Sequence, residues 1–110
     1  MEIATQEYKR VAVMAVTGRV DSATAPELES KLRELVDSDK NQIVLDLKDV
    51  EYMSSAGLRA MVSTLKAVKR TNGDLRIASP SPRVEEVLRL AGLTSIFSIH
   101  STQEEAIASF

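Results

Sequence analysis

Apolar and polar positions along this chain change their period several times, and each change marks the border of an element. Val11-Ala12-Val13-Met14-Ala15-Val16 is an unbroken apolar run of strand length, as expected for a strand covered on both faces. The preceding segment, Ile3 to Tyr8, is more mixed and suits an edge. Lys9-Arg10 is a short connection, so the two segments are expected to pair as an antiparallel hairpin although no strong turn dipeptide joins them.

The period then becomes helical. Thr24-Ala25-Pro26-Glu27 has the spacing of a capping box, with a threonine N-cap, an early proline and a glutamate three residues on. Behind it Leu28, Leu32, Leu35 and Val36 fall on one stripe, which leaves Glu29, Lys31, Arg33 and Glu34 mostly facing water and puts the helix end near Ser38. Ile43-Val44-Leu45 is a second buried-strand run. It leads through Asp46 into Asp49-Val50-Glu51-Tyr52-Met53-Ser54-Ser55-Ala56-Gly57-Leu58, where two hydroxyls stand between the strand and a second amphipathic helix. In that helix Leu58, Met61, Val62, Leu65 and Val68 make the core face, with Arg59, Lys66, Lys69 and Arg70 largely outside. Asn72-Gly73 follows a helical pattern, so it reads as a C-terminal cap rather than a hairpin turn.

Leu75-Arg76-Ile77-Ala78 supplies the next strand, and Ser81-Pro82 is an N-cap with proline at the first helical position. Val84, Val87, Leu88 and Ala91 continue at helical spacing up to Gly92. Ile96-Phe97-Ser98-Ile99 is expected to be a last short strand, and Gln103 to Ser109 a terminal helix. Two strands followed by helix and strand in alternation predict an α/β fold: a mixed β-sheet with an N-terminal antiparallel hairpin, then parallel strands, packed with about four helices. Residues 1–110 are expected to form one domain, with no repeat or linker inside it. In such sheets the turns at the carboxyl ends of the strands carry functional groups, and Ser54 and Ser55 lie at such an end.

Composition narrows the classes of function. Apolar residues at 44% and charged residues at 27% describe an ordinary globular chain rather than a disordered one. No apolar stretch approaches the ~20 residues that cross a bilayer. Met1-Glu2-Ile3-Ala4-Thr5-Gln6 lacks the segments of a signal peptide, so a cytoplasmic location without membrane insertion is expected. The absence of cysteine excludes disulfides, thiolate metal sites and cysteine nucleophiles. A formal net charge of −2, with Lys and Arg scattered, offers no basic stripe for direct nucleic-acid binding. His100 is the one histidine, with no cluster of Asp, Glu or His around it in sequence, and reads as structural or exposed; no metal and no cofactor are expected.

Three chemistries compete for the serine turn. Nucleophilic catalysis needs a positioned base and an oxyanion hole, and Met53-Ser54-Ser55-Ala56-Gly57 is not a G-x-S-x-G elbow. A phosphate cradle usually needs several glycines or a G-K-S/T element, and the turn has only Gly57. A hydroxyl that accepts phosphate from a partner kinase needs no catalytic group on this chain. A phosphate there would sit at a helix N-terminus, which carries free N–H groups and about half a positive charge. The unswitched alternative is that one serine is simply an N-cap.

At this point the residues resemble a known family. Val44-Leu45-Asp46-Leu47, Val50 and Tyr52-Met53-Ser54-Ser55-Ala56-Gly57-Leu58 together resemble the signature of the bacterial anti-sigma factor antagonists, the single-domain STAS proteins. Thr17-Gly18-Arg19-Val20-Asp21 resembles the family's glycine and aspartate segment after the second strand, and Leu90-Ala91-Gly92-Leu93 with Ile96-Phe97 resembles its ending. The resemblance spans nearly the whole chain and implies partner switching. In such systems the unphosphorylated antagonist binds an anti-sigma factor that is also a serine kinase of the GHKL type and so frees the sigma factor. Phosphorylation ends the complex, and a PP2C-type phosphatase restores it. The chain would then be substrate and ligand, not enzyme.

Many relatives have Asp where this chain has Ser54, and some carry the phosphoacceptor hydroxyl where it has Ala56. Alanine cannot accept phosphate, so the resemblance implies Ser55 as phosphoacceptor, with Ser54 the alternative, and Asp21, Ser54, Gly57 and Arg59 as partner-binding residues. Asp21 reads equally as a turn stabiliser, and Met53, Leu58 and Met61 read as core. A second function is also compatible: a non-switching STAS adaptor in a stress-signalling assembly or a membrane lipid-transport complex, with the serine turn as a docking face. A serine-reactive fluorophosphonate is expected to leave the chain unlabelled; a covalent adduct in the intact mass would restore catalysis to the list.

Overall fold

Apolar runs pair in chain order in the computed structural model, which describes residues 1–110. Strands β1 (Glu2–Tyr8) and β2 (Val11–Val20) form the antiparallel hairpin, with Lys9 in the left-handed region at φ 58° to close the two-residue turn. Then come α1 (Ala25–Asp37), β3 (Gln42–Met53), α2 (Ser55–Lys69), β4 (Asp74–Ala78), α3 (Pro82–Leu90), β5 (Ile99–His100) and α4 (Gln103–Ala108). The sheet order is β1-β2-β3-β4-β5, parallel from β2 onward. This is the mixed sheet with four helices that the sequence predicts.

Side chains divide between two faces of the sheet. Met14 and Val16 of β2, Ile43, Leu45 and Leu47 of β3, and Leu75 and Ile77 of β4 join Leu28 and Leu32 of α1, Met61 and Leu65 of α2, and Val84 and Leu88 of α3 in the main core. On the other face Val11, Val13, Val44 and Ala78 meet Ala106 of α4, with Ile107 and Phe110 packed beside them. The central strands are therefore covered twice, which is why their sequences are continuously apolar rather than alternating.

The second half of β3 departs from strand periodicity. Its buried residues Leu47, Val50 and Met53 are three apart, because β3 holds one extra residue between the pairs Ala15↔Asp46 and Thr17↔Asp49 and another between Gly18↔Val50 and Arg19↔Tyr52. Each bulge turns the following side chain back to the core. Gly18 sits between them at φ +101°, a conformation that favours glycine.

Several local expectations need correction. Thr24 does flank α1, but its φ and ψ are already helical and its side chain caps nothing, so the capping box does not form. The last strand is not Ile96 to Ile99: Leu93–Ser95 makes a 3-10 turn, Ile96 is exposed, Phe97 is buried, and only Ile99–His100 pairs with β4. At the end of α2 the left-handed residue is Asn72 at φ 64°, while Gly73 is buried and donates its N–H to Val68 O at 2.8 Å. A Cβ on Gly73 would lie 2.0 Å from the Asn41 carbonyl oxygen, so glycine is required there by close backbone approach.

That geometry orders two substitutions. Gly73→Ala meets backbone and is expected to cost about 3 kcal/mol or more, whereas Gly57→Ala meets side chains of Met53 and Val20 and is expected to cost about 1–2 kcal/mol, part of the overpacking being offset by helix propensity. Urea unfolding of both variants checks the order, and a milder effect at Gly73 would contradict it.

Candidate functional site

Parallel pairing brings the ends of β2 and β3 together. Val20 pairs with Met53, and the Ser54 N–H donates to Val20 O at 2.8 Å, continuing the ladder one step past the strands. The next residue on one side is Asp21, and on the other Ser55 opens α2. Both sequence-predicted turns thus meet at the carboxyl edge of the sheet, although 33 residues separate Asp21 from Ser54 in the numbering.

Asp21 organises its own turn. Its Oδ1 accepts the N–H groups of Ala23 and Thr24 at 2.9 and 3.0 Å, and its carbonyl accepts the N–H of Ala25 at 2.8 Å. The Thr24 hydroxyl accepts the Asp21 N–H at 2.9 Å and donates to Arg19 O at 2.9 Å. The Thr24 N–H hydrogen bond above all holds the Asp21 carboxyl below the usual carboxylate range; burial opposes it as the next largest effect, and the Ala23 N–H, the Thr24 hydroxyl and the Arg19 charge add to the lowering.

The two serines have different occupations. Ser54 is the N-cap of α2, extended at φ −83° and ψ 169°, and its Oγ accepts the Gly57 N–H at 3.2 Å. Ser55 is the first helical residue, exposed, and its hydroxyl has no hydrogen-bond partner in the chain. One hydroxyl is engaged by the fold and the other is free. The first turn of α2 contains no acidic residue of its own to set against the positive helix end.

Around them lie an exposed rim and a packed floor. Arg59, one turn from Ser55, is exposed, and Ser55, Leu58 and Arg59 border an open cleft of about 850 Å³ beside α1. Arg19 stacks over the Tyr52 ring at 4.6 Å, a pair the sequence reading did not single out because only the bulged register makes them neighbours. Met53, Leu58 and Met61 belong to the core, 2%, 9% and 0% exposed. Gly57, expected on the partner surface, is also buried: a Cβ there would stand 2.7 Å from Val20 Cγ1. It lets α2 settle on the strand ends, out of a partner's reach. His100 is apart from this site, its Nε2 2.8 Å from Ser98 Oγ, and no group of three His, Asp or Glu side chains is placed to hold a metal.

Comparison with known proteins gives a consistent result. The STAS domain family matches residues 2–106. A Bordetella bronchiseptica protein named as a candidate anti-sigma factor antagonist, BtrV, is 34% identical over 110 residues, covering 100% of this chain and 95% of its own. The anti-sigma-B factor antagonist of Staphylococcus aureus is 30% identical over 104 residues, 94% of this chain and 96% of that one. Among solved structures, a candidate anti-sigma factor antagonist of Thermotoga maritima superposes with a TM-score of 0.92 at 27% identity, covering 97% of this chain and 92% of its own.

The unequal hydroxyls make a stability prediction. Ser54→Ala is expected to lose about 1 kcal/mol with the cap, and Ser55→Ala to change stability by less than about 0.5 kcal/mol, both read by urea unfolding. Asp21 makes a pH prediction. A depressed folded-state pKa stabilises above the ordinary carboxylate value, and that stabilisation fades as pH falls through the ordinary value toward the lowered one. Asp21→Ala should therefore flatten the acid limb of a melting-temperature profile against pH; a profile parallel to that of the unmodified chain would contradict the assignment.

Proposed function

This chain belongs to the STAS family of anti-sigma factor antagonists, and from that premise we propose that it works by partner switching with Ser55 as the phosphoacceptor. The unphosphorylated chain binds an anti-sigma factor that is also a GHKL-type serine kinase, in the cytoplasm, and so releases a sigma factor. Transfer of phosphate to Ser55 ends the complex, and a PP2C-type phosphatase restores it. Asp21 and Arg59 stand at the rim of the surface that the partner reads.

The observation that carries this reading is the free, exposed Ser55 hydroxyl at the first position of α2, beside a Ser54 hydroxyl already used as cap. Phosphate on Ser55 adds about −1.5 to −2 charges at neutral pH, comparable with the whole chain's formal −2, in one place. The helix end supports it by about 0.3–1 kcal/mol, whereas burial of an uncompensated anion against a partner costs several times more. Complex formation responds to the modification while the fold does not.

Mass spectrometry of the protein recovered from its own cells, with pull-downs of Ser55→Ala and Ser55→Asp, tests the switch. Phosphate on Ser55, an alanine variant that retains a kinase-like partner and an aspartate variant that loses it are the expected results. Phosphate on Ser54 instead would move the acceptor to the cap. An unmodified turn, with both variants binding as the parent does, would leave the constitutive adaptor.

A further inference from the structure

The serine turn is only the head of a longer feature. Ser55, Arg59, Ser63, Lys66 and Arg70 follow one another at steps of four, four, three and four residues, which aligns them on one face of α2 and its C-cap, and all five are exposed. Six of the fourteen Lys and Arg residues meet a carboxylate; of the eight that make no ion pair, Arg59, Lys66 and Arg70 stand together on this one face. Three cations without counter-charge share one ridge of a chain that is acidic as a whole.

This ridge lies in the open cleft beside α1. Accessible apolar side chains there are Val36 of α1, Val62 and Ala67 of α2, and Ala91 and Leu93 beyond α3. From Ser55 to Arg70 the face runs about 22 Å at the helical rise per residue, the length of four turns of a second helix. Cations along an apolar strip match a helix with carboxylates on one side and aliphatic side chains on the other. A flat anionic surface is a poorer fit, because Glu29 and Asp37 of α1 also border the cleft and would meet it, whereas a helix can confine its carboxylates to the α2 side, where Arg59, Lys66 and Arg70 stand.

We propose that this cleft docks an acidic amphipathic helical segment of a protein partner, with its carboxylates on Arg59, Lys66 and Arg70 and its apolar side on Val62, Ala67 and Leu93. The docking surface stands independently of the switch; its regulation rests on the reading of Ser55 as phosphoacceptor. Phosphate there lies one turn from Arg59 and offsets half or more of the three unpaired charges.

A fluorescein-labelled peptide with Leu and Glu at helical spacing, its Lys-for-Glu counterpart and phosphatidylglycerol vesicles serve as probes of the full chain. Fluorescence anisotropy is expected to show saturable binding of the acidic peptide alone, weakened as salt is raised to about 0.5 M. In amide NMR spectra the shifts should fall on α2 and Leu93. Lys66→Glu/Arg70→Glu, far along the helix from the serine turn, should weaken binding at least tenfold while the amide spectrum keeps the dispersion of the folded chain, and Ser55→Asp should weaken it severalfold. Equal binding of the basic peptide, preference for the vesicles, or indifference to Lys66→Glu/Arg70→Glu would overturn the docking surface. Indifference to Ser55→Asp alone would overturn its regulation. A chain that carries no phosphate in cells yet binds the peptide as described would remove the switch and keep the surface.

Discussion

Everything at the site depends on how β2 and β3 stay paired to their ends. Two bulges on β3 lengthen that strand relative to β2, and the ladder still closes at Val20↔Met53 and at the Ser54 N–H to Val20 O bond. Without the extra residues Leu47, Val50 and Met53 would not all return to the core, and the polar positions Asp49, Glu51 and Tyr52 would not all face water. The same ladder sets Asp21 beside the start of α2. A parallel pair offers this because its strand ends and helix starts fall on one edge, whereas a hairpin would have sent the second strand end to the opposite edge.

The site then divides labour among adjacent residues of like chemistry. Ser54 Oγ accepts the Gly57 N–H, and Gly57 has no side chain so that α2 can rest against Val20 and Met53. These are fold duties, and they fix the helix start to which Ser55 belongs. Ser55 has the backbone of the helix and a side chain that belongs to nothing in the fold. A group can be added to such a side chain without breaking a hydrogen bond or opening a cavity, the two usual sources of large destabilisation.

Most of the architecture was legible in the sequence because the buried strands are apolar without interruption and three of the helices follow plain 3.6-residue stripes. Val11 to Val16, Ile43 to Leu45 and Leu75 to Ala78 needed only length and composition, and Ser81-Pro82 only cap chemistry, which the Ser81 Oγ bond to the Val84 N–H at 3.2 Å satisfies. What escaped were features that depend on tertiary partners. Thr24 looks like a cap by spacing, but the Asp21 carboxylate takes over the turn and draws the threonine hydroxyl toward Arg19. Gly73 looks like a left-handed cap, but Asn72 takes that conformation and Gly73 accommodates Asn41. The segment around Ile96 has strand composition, yet Phe97 turns inward from a 3-10 turn and leaves two residues to pair. Of the residues singled out for the site, Asp21, Ser54, Ser55 and Arg59 reach one edge or its rim, and Gly57 goes under it.

Rigidity below the rim has a consequence for recognition. Val20, Met53, Leu58 and Met61 pack beneath the serine turn with 9% exposure or less, so a partner meeting this edge does not have to order it first. Association therefore loses little to conformational entropy on this side, and the free energy of binding follows the charges and apolar area already displayed. On such a surface an added dianion changes the displayed charge directly, with Arg59 one helical turn away on the same face. The packed floor that stabilises the domain is thus also what makes its outer edge responsive to charge.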